Sequence, residues 1–154
     1  MSFTKKVLHS VKLVGVVFLL SYLSSVITLI ILLQVGSIIG GVYVFISIWT
    51  FICPVVIAPL IEEWTKYKSI KDDHGWIFIH ILTWSEFLNY ALILHYSFGM
   101  APLVIIAYRL PAIILHYCTF GIQKAYRSYG DPKYGLNCSI ILHSIFNFVS
   151  AYLV

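Results

Sequence analysis

The sequence predicts an all-α fold, a polytopic membrane bundle of about five transmembrane helices that forms one integral membrane domain over residues 1–154. Composition is the first reason, because 60% of the residues are hydrophobic and only 10% are charged. Soluble domains carry about 25% charged residues, and the mean hydropathy here is +0.93. The second reason is that apolar residues form runs of about 20 residues, the length that spans a bilayer as a helix. The runs cover residues 13–33, 37–61, 76–96, 102–122 and 136–154.

The first run follows a group of basic residues, as the apolar core of a signal peptide does. Such a core usually has about 7–15 residues. Because the run over 13–33 is longer and reaches the length of a span, we interpret it as a retained first helix.

The second run contains Pro54 and Pro59 near its end. Each proline lacks a backbone N–H and clashes with the preceding turn, so the last turns of this helix are expected to bend or break. Backbone groups freed in this way are tolerated at membrane depth only where they are buried in protein or face water. The prolines therefore predict one wall of a cavity.

Polar segments separate the later runs: KYKSIKDDHG at 66–75, a short turn at 97–101 and QKAYRSYGDPKYG at 123–135. Nine of the ten basic residues lie before the first run or in the two longer segments, which five passes would place on one side of the membrane. An excess of basic residues marks the cytoplasmic side. We therefore expect the N-terminus in the cytoplasm and the C-terminus on the opposite side.

The sequence argues against several classes of protein. Cys53, Cys118 and Cys138 form no CxxC pair and show neither metal-ligand spacing nor a disulfide framework. The net charge of +4 is small, so no nucleic-acid partner is expected. No internal repeat is visible, which argues against a transporter built from inverted repeats.

Ionisable side chains within the apolar runs are the candidates for function, because such groups are costly in a membrane and usually face the bundle interior or a water-filled cavity. With the neighbouring amides, the candidates are Glu62, Glu63, Glu86, Asn89, Arg109, His116, His143 and Asn147. Four other histidines lie in loops or near the membrane interface, and we interpret them as structural or solvated: His9, His74, His80 and His95.

Glu62 and Glu63 allow two interpretations. As solvated charges at the interface they would stop the span, and Glu62 would form a favourable i,i+4 pair with Lys66. However, adjacent residues point about 100° apart on a helix. One glutamate could then face a cavity while the other meets Lys66 or a neighbouring span.

Glu86 lies ten residues into the third run. It could form an interhelical ion pair with Arg109 that serves structure alone, and Asn89 lies one turn away on a similar face. His116 follows Arg109 by seven residues, so the two share a helix face.

His143 and Asn147 are also on one face, at i,i+4. A lone histidine in an apolar helix is more often a packing residue, but His116 and His143 lie on two different runs. Both are about 10 Å from the cytoplasmic ends of their spans. We therefore expect the candidates to meet in the cytoplasmic half of the membrane.

Four motifs follow one another along the chain: APLIEEWTK at 58–66, SEFLNY at 85–90, RLPAIILH at 109–116 and HSIFN at 143–147. In this order the chain resembles the PrsW-like branch of the CAAX-protease and bacteriocin-processing superfamily of intramembrane proteases. The first motif is similar to EExxK of that branch, the second to its glutamate-containing motif, and the fourth to HxxxN. The CAAX-type form EExxxR has an arginine where Tyr67 stands, which argues against a prenylated protein substrate.

The resemblance implies a catalytic site made of two glutamates that activate water and four residues that complete the site. These are Glu62 and Glu63, with Glu86, His116, His143 and Asn147. The expected enzyme is an intramembrane endopeptidase that cleaves a membrane-associated protein or peptide in the lipid bilayer. One of the two histidines would donate to the developing oxyanion. Lys66, Asn89 and Arg109 would have supporting roles.

No cofactor is expected. The two histidines and two glutamates could also bind zinc, whose bound water is a nucleophile near neutral pH, although the sequence lacks HExxH. Two other classes stay open: a non-catalytic scaffold or bacteriocin-immunity-type protein of the same fold, and a small proton-linked transporter, which would use the same kinds of intramembrane side chain. No oligomeric state is predicted.

Overall fold

The structure, a computed structural model, describes residues 3–39, 42–70 and 75–152. Helices account for nearly all of these residues, and the described ranges contain no strand. In chain order the helices are α1 (Phe3–Ile39), α2 (Val42–Ile52), a π-helical segment (Cys53–Ile57), α3 (Ala58–Ile70), α4 (Gly75–Phe98), α5 (Pro102–Ser128) and α6 (Pro132–Tyr152). The predicted all-α class is confirmed.

Three helical stretches of the described chain are long and apolar enough to cross a membrane: Ile46–Ile70, Gly75–Phe98 and Pro102–Ser128. They correspond to the second, third and fourth predicted runs. Their length and apolar composition support an integral membrane protein. The predicted count of five spans is not confirmed, since the described residues contain three such stretches.

Three helices extend well beyond the predicted spans. Helix α1 covers Phe3–Ile39 where a span over 13–33 was predicted, so residues 37–39, predicted to begin the second span, belong to α1. The stretch after the second run stays helical to Ile70, so residues 66–70 of the predicted loop are helical, and 71–74, with His74, lie outside the described residues. Likewise α5 continues to Ser128, and the loop predicted at 123–135 is reduced to residues 129–131. The physical reason is that polar side chains such as Lys66 and Gln123 are buried inside the bundle, so their polarity does not mark a loop.

A tight turn joins α5 to α6. The Gly130 N–H donates to Arg127 O at 3.2 Å and the Asp131 N–H donates to Tyr126 O at 3.0 Å, the two bonds of a Schellman motif. Gly130 has φ +85°, which favours glycine. Pro132 then begins α6, where its missing N–H costs nothing. The turn makes α5 and α6 antiparallel neighbours.

The Pro54 region changes the hydrogen-bond register of the helix without ending it. The Ala58 N–H donates to Cys53 O, an i→i+5 bond in place of the usual i→i+4 bond. A π-helical segment between α2 and α3 therefore lies where the bend or break was predicted, and the chain stays helical through it.

Helix α3 lies between an apolar and a polar part of the interior. On one side an apolar cluster joins α1 and α4, with Ile61 of α3 packed against it; its buried members are Val14, Val17, Phe78 and Leu82. On the other side α3 faces polar side chains of α5 and α6. These two helices approach each other closely at Gly135. Ser139 strengthens this contact by donating to Thr119 O at 3.0 Å. This arrangement brings α3, α5 and α6 together around the polar residues.

The close approach at Gly135 can be tested by adding one methyl group. A Cβ at Gly135 would lie 2.7 Å from Tyr126 Cβ, whereas a Cβ at Gly121 would have no atom within 4 Å. We expect Gly135→Ala to lower the free energy of unfolding by about 1–3 kcal/mol through overpacking. Gly121→Ala should be neutral or stabilising by up to about 1 kcal/mol. Thermal unfolding of both variants in detergent measures the difference, and equal behaviour would contradict the packing.

Candidate active site

The structure brings the predicted acidic and histidine side chains together. Glu62 and Glu63 come from α3, and one residue comes from each of three other helices: Glu86 from α4, His116 from α5 and His143 from α6. Hydrogen bonds or ion-pair distances below 4 Å connect these groups into one cluster. We call these five residues the carboxylate–histidine cluster.

Glu63 is the buried anchor of the cluster, with a side chain that is 0% exposed. Its Oε1 accepts from Lys66 Nζ at 2.6 Å and lies 2.8 Å from His143 Nδ1. Its Oε2 accepts from Gln123 Nε2 at 2.8 Å. Each carboxylate oxygen therefore has a donor, as burial of the charge requires.

Lys66 is as buried as Glu63, with a side chain that is 0% exposed. Besides Glu63, its Nζ lies 3.0 Å from His116 Nδ1 and donates to Thr119 Oγ1 at 3.1 Å. An ammonium group has three donors and no acceptor, so these three partners use all of its hydrogens. The pair is i,i+3 and buried, unlike the solvated i,i+4 pair with Glu62 considered from the sequence.

His116 has a partner at each ring nitrogen. Because Lys66 can only donate, His116 Nδ1 accepts and the ring proton is left on Nε2, which lies 2.6 Å from Glu86 Oε2, at ion-pair distance. The other oxygen of Glu86 accepts from Arg109 Nη2 at 3.2 Å. Arg109 also stacks on Tyr90, with Cζ 3.9 Å from the ring centroid. The Glu86–Arg109 ion pair that the sequence allowed is therefore present, and the same carboxylate orients His116.

His143 has one ring nitrogen free of hydrogen bonds within the cluster. Its Nδ1 lies 2.8 Å from the Glu63 carboxylate, which already accepts from Lys66, so Nδ1–H is the donor. This leaves Nε2 directed toward Glu62 at 3.9 Å. The His116 and His143 rings stand at 88° to each other, with centroids 5.3 Å apart.

Glu62 has the same side chain as Glu63 but different hydrogen-bond partners. Its Oε2 is buried but has no hydrogen-bond partner in the described structure. It lies 3.9 Å from His116 Nδ1 and 3.9 Å from His143 Nε2. A water molecule at about 2.8 Å from the carboxylate and an imidazole nitrogen fits this spacing. Glu62 is therefore the carboxylate at this position whose distance to the imidazoles is that of groups bridged by one water molecule.

A cavity of about 680 Å³ opens from this position. Its polar lining is Glu62, Glu86, Tyr90, Tyr108, Arg109, His116, His143, Asn147 and Ser150. The lining residues of α5 lie between Ala107 and His116, in its N-terminal part and middle, and those of α6 lie in its C-terminal half. The cavity thus extends from the cluster toward the end of the bundle opposite the α5–α6 turn.

Two predicted site residues do not join the cluster. Asn147 lines the cavity, but its Nδ2 donates to Pro54 O at 2.8 Å, in the π-helical segment. Asn89 lies on an exposed part of α4 and is absent from the cavity lining. Of the histidines interpreted as structural, His80 pairs with Tyr117 at 2.6 Å and His95 with Met100 O at 3.0 Å.

Sequence reasoning missed Thr119 and Gln123, which complete the surroundings of Lys66 and Glu63. Thr119 lies at the polar end of the fourth run, and Gln123 lies in the loop predicted after it. A signal existed, because they follow His116 by three and seven residues and so share its helix face.

Glu62, His116 and His143 could also hold a metal ion. One ligand atom from each lies within 4.8 Å of the others. Each imidazole has its second nitrogen on a carboxylate, as metal-binding histidines do. The Lys66 ammonium opposes this use, because it occupies His116 Nδ1 at 3.0 Å and would repel a second cation.

Comparisons with family models, curated proteins and solved structures find no significant match. The resemblance to the PrsW-like branch therefore remains a prediction from the order of the four motifs.

The buried ion pair can be tested by removing its cation. Lys66→Met leaves the Glu63 carboxylate buried without its partner, and we expect a loss of about 3–5 kcal/mol in the free energy of unfolding. Lys68→Met is the matched control, because Lys68 is exposed on the same helix and its Nζ lies 5.0 Å from the Trp64 ring centroid. That change should cost about 1 kcal/mol or less.

Adding Glu63→Gln to Lys66→Met removes the unpaired charge, so the double variant should recover part of the loss in thermal unfolding. Equal stability of the Lys66→Met and Lys68→Met variants would contradict the buried ion pair.

Proposed function

We propose that this chain is an intramembrane endopeptidase that cleaves a membrane-associated protein or peptide with water activated by Glu62. One observation carries the proposal: the carboxylates of Glu63 and Glu86 each lie 2.6 Å from a basic nitrogen, whereas Glu62 Oε2 is buried, has no hydrogen-bond partner and lies 3.9 Å from two imidazole nitrogens. A general base needs direct or water-mediated reach to the proton it removes. Glu62 has that reach at the inner end of a cavity.

The reaction uses Glu62 and His143 on the same water. Glu62 takes one proton as the water oxygen attacks the scissile carbonyl, and the protonated Glu62 then gives that proton to the leaving amine. His143 Nε2 accepts a hydrogen bond from the water while the ring is neutral. As the tetrahedral intermediate collapses to the carboxylate product, His143 takes this second water proton, and the Glu63 carboxylate at Nδ1 stabilises the resulting imidazolium.

His143 is favoured over His116 for this role because of their partners. His116 has both nitrogens engaged, by Lys66 and by Glu86, so a new hydrogen bond to substrate would break an existing one. His143 has only Nδ1 engaged. We therefore assign His116, Glu86 and Glu63 to orienting the site, and Glu62 and His143 to the chemistry.

Cavity shape and charge distribution together indicate the direction of substrate entry. The cavity extends away from the α5–α6 turn, which carries basic residues such as Arg127 and Lys133. By the positive-inside rule that turn faces the cytoplasm. We therefore expect a substrate segment to enter from the non-cytoplasmic end, with the scissile bond reaching Glu62 in extended form.

A metal-dependent version of the same site is less well supported. Zinc at Glu62, His116 and His143 would have to displace the Lys66 ammonium from His116 Nδ1. Lys66 instead supplies a fixed positive charge beside the cluster. The glutamate-type mechanism needs no such displacement.

The two adjacent glutamates give a sharp test of the proposal. We expect Glu62→Gln to reduce cleavage by about 10²–10⁴-fold, the contribution of a general base, with little change in stability because its Oε2 has no partner. Glu63→Gln should lower the thermal unfolding temperature, since Lys66 loses its counter-charge.

Cleavage is measured by mapping new N-termini in membranes that contain wild type, Glu62→Gln or Asn89→Ala, the last being the matched control. Asn89 is exposed on α4 and does not line the cavity. Identical sets of N-termini for wild type and Glu62→Gln would overturn the proposal and favour a packing or scaffold role for the cluster.

Chelators distinguish the two versions of the site. If Glu62 activates water directly, 1,10-phenanthroline leaves cleavage by the purified protein unchanged, and the protein carries no stoichiometric zinc. Loss of activity with recovery on added zinc would overturn the glutamate-type mechanism while keeping the same cluster as the active site.

A further inference from the structure

The spacing of Pro54 and Pro59 leaves one carbonyl of the π-helical segment without a helical donor. In this segment hydrogen bonds follow i→i+5, as the bond from the Ala58 N–H to Cys53 O shows. The next bond in that register would run from residue 59 to Pro54 O. Pro59 has no N–H, and the Ala58 N–H is already used. Pro54 O therefore needs a donor from outside the helix.

Asn147 of α6 supplies that donor. Its Nδ2 lies 2.8 Å from Pro54 O, in a partly buried position on the cavity wall. An unsatisfied buried carbonyl is costly, and membrane depth makes it more so. The amide of Asn147 therefore replaces the backbone N–H that proline removes.

The position of this hydrogen bond connects it to the candidate active site. The π-helical segment inserts one residue into a turn, which rotates the helix after it by about 100° relative to a regular α-helix. That rotation sets the direction of Glu62 on α3. Asn147 lies one turn after His143 on α6, so one hydrogen bond joins the segment that orients Glu62 to the helix that carries His143.

We propose that Asn147 is a positioning residue that stands in for the N–H missing at Pro59, holds the π-helical segment against α6 and thereby sets Glu62 opposite His143. We call the bond from Asn147 Nδ2 to Pro54 O the Asn147 clamp. Its effect on cleavage rests on the proposed function, but the clamp itself is a structural claim with its own readout.

The test restores the missing N–H by a second substitution. Asn147→Ala removes the clamp, and hydrogen exchange at the Ala58 amide, measured by mass spectrometry in detergent, should become about tenfold faster. Pro59→Ala places an N–H where it can donate to Pro54 O. In the Asn147→Ala/Pro59→Ala double variant, exchange and unfolding temperature should return most of the way to wild type.

Two matched controls isolate the clamp. Asn137→Ala removes the same side chain from an exposed position of α6 and should leave exchange at Ala58 unchanged. Pro111→Ala returns an N–H to the interior of α5, and should not rescue Asn147→Ala. If Asn147→Ala alone does not fold, recovery of a folded protein by Pro59→Ala, and not by Pro111→Ala, supports the clamp in the same way.

Two results would overturn the inference: Asn147→Ala behaving like Asn137→Ala, or a double variant as perturbed as Asn147→Ala alone.

The rate of cleavage by the same variants distinguishes a positioning role of Asn147 from a catalytic role. A positioning Asn147 costs about 10²-fold or less when removed, and Pro59→Ala restores that activity. An Asn147 that touches the reacting atoms leaves the double variant inactive although its fold is restored. Exchange and unfolding need no substrate, so they test the clamp even if the proposed function fails.

Discussion

The ion pair between Glu63 and Lys66 is the interaction on which the site depends. Both side chains are fully buried one turn apart on α3, and their charged atoms are 2.6 Å apart. Lys66 makes His116 Nδ1 an acceptor, and Glu63 makes His143 Nδ1 a donor. One turn of α3 therefore sets the hydrogen-bonding state of imidazoles on two other helices. Breaking a buried pair leaves an uncompensated charge, so this turn cannot change without disturbing both histidines.

Helix geometry explains why the two neighbouring glutamates have different surroundings. Glu63 points into the packed interior among donors from α3, α5 and α6, whereas Glu62, about 100° around the helix, faces the cavity and keeps one oxygen unpartnered. The direction of this division depends on the π-helical segment before α3, which in turn depends on Pro54, Pro59 and the amide of Asn147. Helix geometry thus places Glu63 where it stabilises the structure and Glu62 where it can take part in the proposed chemistry.

Much of the site was predictable because its residues follow helical spacing. His116 follows Arg109 by two turns, and the order of the four motifs indicated the cluster. The division of labour between Glu62 and Glu63 was not predictable, because it depends on the angular position of α3 among its neighbours. Gln123 was missed for a related reason: the polar residues at the ends of α3 and α5 resemble a loop by composition, yet they are buried and helical.

The sequence by itself determined the all-α class and the apolar stretches, because composition and hydrophobic run length are local properties of the chain. It also determined that regular α-helical hydrogen bonding would be interrupted near Pro54, since proline removes a donor wherever it stands. The partners were decided only by the tertiary structure. Glu63 meets Gln123 across 60 residues, His143 meets Glu63 across 80, and Asn147 meets Pro54 across 93. Local periodicity predicts which side chains share a face, but the packing of one helix against another decides which faces meet.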